Sequence, residues 1–130
     1  MCNFCHIPTQ QKLLVTEHFY VVYDIDPIQE GHLLIISNQH LMNFLELESS
    51  VYTELMRIEA ALIDILENKM GVTGVTIVRN NGKVMDKNTH FHEHMIPRYS
   101  NDGLWTNIQV ERNALSSDEL NQHIRALSLT

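Results

Sequence analysis

Thr89-His90-Phe91-His92-Glu93-His94-Met95-Ile96-Pro97-Arg98 is the stretch that decides how the rest of the chain is read. Its three histidines alternate with other residues. On a β-strand successive side chains point to opposite faces, so His90, His92 and His94 share one face. A helix would rotate each of those steps by roughly 200° and scatter them. Phe91, Met95 and Ile96 suit a half-buried strand, and Pro97 is expected to close its ladder pairing. Titratable groups seldom cluster in this way without a function. Three readings stand side by side: a row of satisfied histidines, a zinc site built from one strand face, and a catalytic nucleophile held by its neighbours. Spacing alone does not separate the last two.

Outward from that strand the chain has clear punctuation. Gly74 to Arg79 reads as the preceding strand, and Asn80-Asn81-Gly82 turns it, so the two form a wide hairpin. Between Glu46 and Met70, Val51, Leu55, Ile58, Leu62 and Leu66 recur at steps of three and four, the stripe of a long amphipathic helix. Ser49 or Ser50 is the expected cap, and Gly71 stands just past the end. From Leu13 to Ile25 two strands meet in a turn near Glu17-His18, and His32 to Ser37 is a third strand after a loop bracketed by Pro27 and Gly31. His18 and His32 read as structural or surface residues. Beyond Tyr99, Asn101-Asp102-Gly103 is a turn, and Ser116 with Glu119 makes a capping box that opens a short helix through Leu127. The sum is one α+β domain over residues 1–130: an antiparallel sheet of about five strands with one long and one short helix.

Bulk properties narrow the function classes. The chain has 44% hydrophobic residues and a net charge of -7, which argues against polymeric nucleic acid but leaves room for a small phosphate ligand in a locally positive pocket. No apolar run reaches the roughly 18 residues of a membrane span, and the N-terminus lacks a secretory pattern, so a cytoplasmic domain is expected. Cys2-Asn3-Phe4-Cys5 is a redox pair, half a zinc site, or chance. A redox pair calls for a strand before it, and a zinc site needs two further ligands.

The stretch His90-Phe91-His92-Glu93-His94-Met95-Ile96-Pro97-Arg98 resembles the signature of the histidine triad (HIT) nucleotide hydrolases and transferases, which is His-x-His-x-His, two apolar residues and often Pro-Arg. The resemblance runs from Cys2 to about Tyr99. It implies a HIT-like fold, a homodimer with a continuous sheet, and an adenine nucleotide as ligand. Members with this N-terminal cysteine pair bind zinc, here at Cys2, Cys5, His40 and His90, as a structural ion with no catalytic metal. Asp24 through Gly31-His32 is similar to the element whose aspartate holds the ribose hydroxyls, a task for which a carboxylate is suited. Val22 stands where the family places a phenylalanine under the base, with Phe4, Phe19 and Leu41 as other stacking candidates.

Asn80 matches an asparagine at the phosphate end of the ligand. The family's phosphate-cradling Gly-Gln is absent between Val84 and Thr89. Lys87, Asn88 or Thr89 are the replacement donors, whereas Asp86 repels phosphate. Glu93 occupies a usually apolar position on the face away from the histidines. The resemblance assigns His92 as the nucleophile on the α-phosphorus, oriented by the backbone carbonyl of His90, with His94 and Asn80 as donors. The bond cleaved is that to an amine or a second phosphate. Two alternatives are a nucleotide-binding module with weak turnover and a zinc hydrolase using the three histidines directly. Trp105 borders the site or packs elsewhere.

Overall fold

Every stretch read as a strand pairs antiparallel with a neighbour. The computed structural model describes residues 1–129. In it β1 (Leu14–Val15), β2 (Phe19–Tyr23), β3 (Leu33–Ser37), β4 (Gly74–Val78) and β5 (His92–Arg98) make one sheet in the order β1-β2-β3-β5-β4. The α+β architecture expected from the sequence is therefore the one found. β5, with the histidines, lies between β3 and β4 and is thereby fixed on both sides.

Alternation along the strands separates two faces. Phe19, Val21, Leu33, Ile35 and Met95 form the larger core together with Val51, Leu55, Ile58, Leu62 and Leu66, the residues of the predicted stripe. Those five come from α1 (Ser49–Asp64) and the π-helical turn Ile65–Lys69 that continues it. Tyr20, Val22, Leu34 and Ile36 form a second, smaller cluster, closed by Phe4 and Ile7 of the N-terminal segment. In register, Ile36 opposes His92, Leu34 opposes His94 and Val78 opposes His94. Directly opposed residues of an antiparallel pair point the same way, so the smaller cluster shares its face with His92 and His94.

Four local expectations are corrected. Neither Ser49 nor Ser50 caps α1: Glu48 is the N-cap, its carbonyl accepting from the amides of Val51 and Tyr52. Leu47, buried just upstream, sets that entry point. Pro97 does not close β5, which continues through Arg98, with Pro97 opposite Val75. Pairing with β3 has already ended at Leu33–Met95, so β5 is an edge on that side and proline is tolerated. His90 lies just before β5 rather than inside it. Finally, α2 (Ser117–Arg125) ends two residues before Leu127; Ser116 caps it as expected, Oγ accepting from the Glu119 amide at 3.2 Å.

Gly71 follows the helix at φ +72°, the left-handed conformation expected of a residue beyond a helix end. Among the described residues no helix is long and apolar enough to cross a membrane.

Candidate active site

The three motif histidines are each held by a different partner, and for His90 and His92 the partner fixes where the ring carries its proton. His90 is fully buried, and its Nε2–H donates to the Ser37 carbonyl at 2.6 Å, leaving Nδ1 bare. His92 donates from Nδ1 to the backbone carbonyl of His90 at 2.7 Å, leaving Nε2 bare. A carbonyl can only accept, so these two assignments follow from donor and acceptor chemistry. His94 meets neither carbonyl; its Nδ1 lies 2.9 Å from Nε2 of His32 and 3.5 Å from Oδ2 of Asp24. Burial lowers the pKa of both His90 and His94, and neighbouring imidazoles lower them further.

The bare Nδ1 of His90 points into a group of potential metal ligands. Cys2 Sγ lies 3.1 Å from it, Cys5 Sγ lies 3.6 Å from it, and Cys5 Sγ lies 3.3 Å from His40 Nδ1. The four ligand atoms fall within 4.8 Å of one another. Tetrahedral zinc with ordinary bond lengths separates sulfur from nitrogen by roughly 3.5 Å, so the donor set and its spacing fit that ion. The Ser37 carbonyl is the outer partner that a metal-bound imidazole needs. Without a cation the Cys5 thiol is raised by desolvation and by Cys2 beside it.

Other predicted residues divide between the two faces. Asp24 faces the site, with Oδ1 accepting from the Asp26 amide at 2.9 Å and Oδ2 turned to His32 and His94. Val22 lies in the smaller cluster on the histidine face. Phe4 approaches His92 edge-on, ring centroids 4.8 Å apart, which makes it the stacking candidate brought to the site. Phe19 and Leu41 pack into the larger core instead. Leu41 is a correction: its carbonyl accepts from the Phe91 amide, which ties the segment to β5 while the side chain goes to the helix side.

Asn80 lines a hollow of about 280 Å³ with His94, Ile28 and Trp105, so Trp105 borders the histidine face. Lys87 is the second correction. It lines a separate hollow with Met42, Asn43 and Lys83 rather than the one shared by His94 and Asn80. Arg98, the last motif residue, is structural: it holds Asp102 through two hydrogen bonds of 2.7 Å and Thr76 through one of 2.8 Å.

A family model, the HIT domain, matches residues 7–101. The chain belongs to the HIT family. An uncharacterized HIT-like protein of Methanocaldococcus jannaschii is 32% identical over 108 residues, covering 79% of this chain and 83% of that one. The adenosine 5'-monophosphoramidase of Saccharomyces cerevisiae is 31% identical over 102 residues, which are 75% of this chain and 62% of the yeast protein. This chain thus matches less than two thirds of that relative. The crystal structure of a histidine triad nucleotide-binding protein from Candida albicans superposes with a TM-score of 0.70 at 26% identity, over 96% of this chain and 93% of that one.

Against the HIT pattern, Glu93 is the unusual motif residue. It opposes Ile35 and faces away from the histidines, as strand alternation requires, with 1% of its surface exposed. Oε2 accepts from Arg79 at 3.3 Å, and Oε1 is buried without a partner among the described residues. Desolvation, then the neighbouring Glu59, pushes Glu93 up to about 9 despite the arginine. Burial thus favours the neutral form of the carboxyl behind the strand. His32, read from the sequence as structural or surface, instead lies against His94 at 2.9 Å and Asp24 at 3.4 Å, a placement that sequence reasoning missed. Its number shares parity with Leu34 and Ile36 on β3, and that register was the signal placing it on the histidine face.

Proposed function

We propose that this HIT protein is a nucleotide hydrolase and nucleotidyl transferase that cleaves the bond between the α-phosphorus of an adenine nucleotide and its leaving group through a nucleotidyl-His92 intermediate. One observation carries the reading: the His90 carbonyl holds the proton of His92 on Nδ1 and leaves a lone pair on Nε2. In the first step that lone pair bonds to the α-phosphorus and the bond to the leaving group breaks, the leaving atom taking the bonding pair. An amine departs with a proton drawn from bulk water. In the second step water bonds to phosphorus, the bond to His92 breaks and returns the lone pair to Nε2, and the proton of water goes to solvent. His94 and Asn80 serve as donors to the charge that grows on the phosphoryl and leaving-group oxygens or nitrogen. Asp24 receives the ribose hydroxyls, and Phe4 and Val22 support the base.

The yeast relative's phosphoramidase activity favours an amine leaving group. Zinc on Cys2, Cys5, His40 and His90 belongs to this reading as an ion that ties the N-terminal segment to the segment after β3 and to the residues leading into β5. A homodimer does too: β4 is a sheet edge with Ile77 and Val78 exposed, open to pairing with a second copy. The zinc-hydrolase alternative has geometry against it, because His90, His92 and His94 each turn a ring nitrogen to a different partner and do not converge on one point. One observation favours a weakly active binding module: the charge of Asp86 reaches His94, where it opposes an incoming phosphate.

The test is mass spectrometry after brief mixing with an adenosine phosphoramidate or a diadenosine polyphosphate, quenched both in acid and at neutral pH. An added AMP mass on His92, absent from His92→Ala, is the expected result. Binding of AMP with neither adduct nor product selects the binding module. Retained turnover in His92→Ala removes His92 from its role.

A further inference from the structure

We propose that Cys2 and Cys5 are a modification site: a peroxide joins their sulfurs in a disulfide, which dissolves the metal site and loosens the N-terminal segment from the histidine face. Resting on the reading of Cys2, Cys5, His40 and His90 as zinc ligands, this makes the tether of that segment reversible.

The two sulfurs are already placed for the bond. Cys2 precedes a short 3-10 turn over Asn3–His6, and the Cys5 amide donates to the Cys2 carbonyl at 3.3 Å. A turn closed over that span holds the two α-carbons within about 7 Å, the upper end of what a disulfide bridges. Both side chains leave the turn on the same side, since Cys2 Sγ lies 3.1 Å and Cys5 Sγ 3.6 Å from the one Nδ1 of His90. Both cysteines are free; Cys5 is exposed and Cys2 half-buried, so an oxidant reaches Cys5 first and finds a second thiol behind it.

The step is a two-electron oxidation. Held by a cation, both sulfurs are thiolates, the form that attacks a peroxide. Cys5 Sγ bonds to one peroxide oxygen as the O–O bond breaks, giving a sulfenic acid and hydroxide. Cys2 Sγ then attacks Cys5 Sγ, the S–O bond breaks, and a second hydroxide leaves. The two sulfurs are oxidised, the two peroxide oxygens are reduced, and solvent protons turn both hydroxides to water. A disulfide sulfur lacks the negative charge that binds a metal, and His40 with His90 supply two ligands where a structural site needs four.

Loss of the tether bears on the catalytic face through Phe4, which lies between the two cysteines. Its ring meets His92 edge-on at 4.8 Å and His90 at 5.8 Å, and with Ile7 it closes the smaller cluster. Hydrogen bonds still hold the segment: Tyr20 Oη donates to the Phe4 carbonyl, and the Asn3 amide donates to the Asn88 carbonyl at 2.7 Å. Each is a small net contribution in water. Phe4 therefore leaves His92 more often in the bridged chain, whereas the His90 carbonyl still holds the proton of His92 on Nδ1. Oxidation weakens nucleotide binding and spares the nucleophile.

The experiment treats zinc-loaded wild type with hydrogen peroxide. It reads zinc freed to a coloured chelator, peptide masses, hydrogen exchange of residues 1–8, and calorimetric titration with AMP. Expected are a Cys2–Cys5 peptide lighter by two hydrogens, about one zinc freed per chain and faster exchange in the segment. AMP affinity falls by about threefold to tenfold, the loss of one aromatic contact. A thiol reductant with added zinc restores all four. Thiols that survive the peroxide, over-oxidation of Cys5 without a bridge, a bridge that leaves zinc bound, or a bridge with exchange or AMP affinity unchanged overturns the proposal. Protein that holds no zinc before peroxide is added removes the metal reading and this proposal with it. If AMP does not bind the untreated protein, the nucleotide reading fails and exchange alone decides the release of the segment. Absence of an AMP adduct on His92 overturns the catalytic reading only, since none of these readouts needs turnover.

Discussion

The guanidinium of Arg79 reaches Oε2 of Glu93 at 3.3 Å, and the same guanidinium lies 3.9 Å from the centre of the Phe44 ring. A cation stacked on an aromatic ring and paired with a buried carboxyl backs the strand that carries His92 and His94. The pair is incomplete, since Oε1 of Glu93 has no partner among the described residues.

That carboxyl gives the fold a measurable pH dependence. Glu93 has an ordinary value of 4.5 and is pushed up to about 9 in the folded chain. Between those values the folded state holds a proton that the unfolded chain releases. The contribution of this group to stability is therefore fully present below 4.5 and is lost as pH rises toward 9, by at most about 1.4 kcal/mol per pH unit. Glu93→Gln removes that slope. Urea melts from about pH 5 to about pH 8 are expected to show the Gln variant gaining on wild type, by about 1–3 kcal/mol at the upper end. Parallel pH profiles for the two proteins count against a neutral Glu93.

Metal content tests the cysteine–histidine group. Protein purified from zinc-replete medium is expected to carry about one zinc per chain by elemental analysis. Cys5→Ser and chelator each remove it and lower the melting temperature. Acid does the same, since the ligands bind metal only when deprotonated. Metal-free wild type with an unchanged melting temperature rejects the site.

Asp24→Asn addresses ribose recognition. The wild type is expected to bind AMP in preference to 2'-deoxy-AMP, and the variant to lose about tenfold in AMP affinity, or about 1.4 kcal/mol. Calorimetric titration should show the ratio of the two ligands narrowing. An unchanged ratio places the ribose elsewhere.

Leu55→Ala probes the helix-to-sheet core. Leu55 is 3% exposed within the larger cluster. Truncation is expected to cost about 2–5 kcal/mol in urea denaturation, the range for an unfilled cavity under a helix. A cost well below that range means the helix can settle onto the sheet.

Much of this was legible because periodicity is local. The five stripe residues of the long helix are buried, and the alternation of His92, Glu93 and His94 correctly sent the carboxylate to the opposite face. What escaped depended on contacts between distant positions. His32 and His94 are 62 residues apart in sequence, and nothing near His32 announces its partner. Pro97 stays in a strand because β3 stops at Leu33, a matter of relative strand length that no single segment contains. The charge of Lys87 suits a phosphate, but the folded chain puts it in a hollow with Met42 and Lys83, a placement that no local pattern announces.

His90 serves two neighbours with atoms of different mutability. Its ring, through Nδ1 and Nε2, belongs to the cysteine group and to Ser37; its carbonyl belongs to His92. Substitution erases the ring but leaves the carbonyl, because every residue brings one. The lone pair on His92 is consequently written into the backbone, out of reach of a codon change at position 90, whereas the tether on the N-terminal segment is exposed to it. Anchoring and reactivity can drift apart in descendants of this chain.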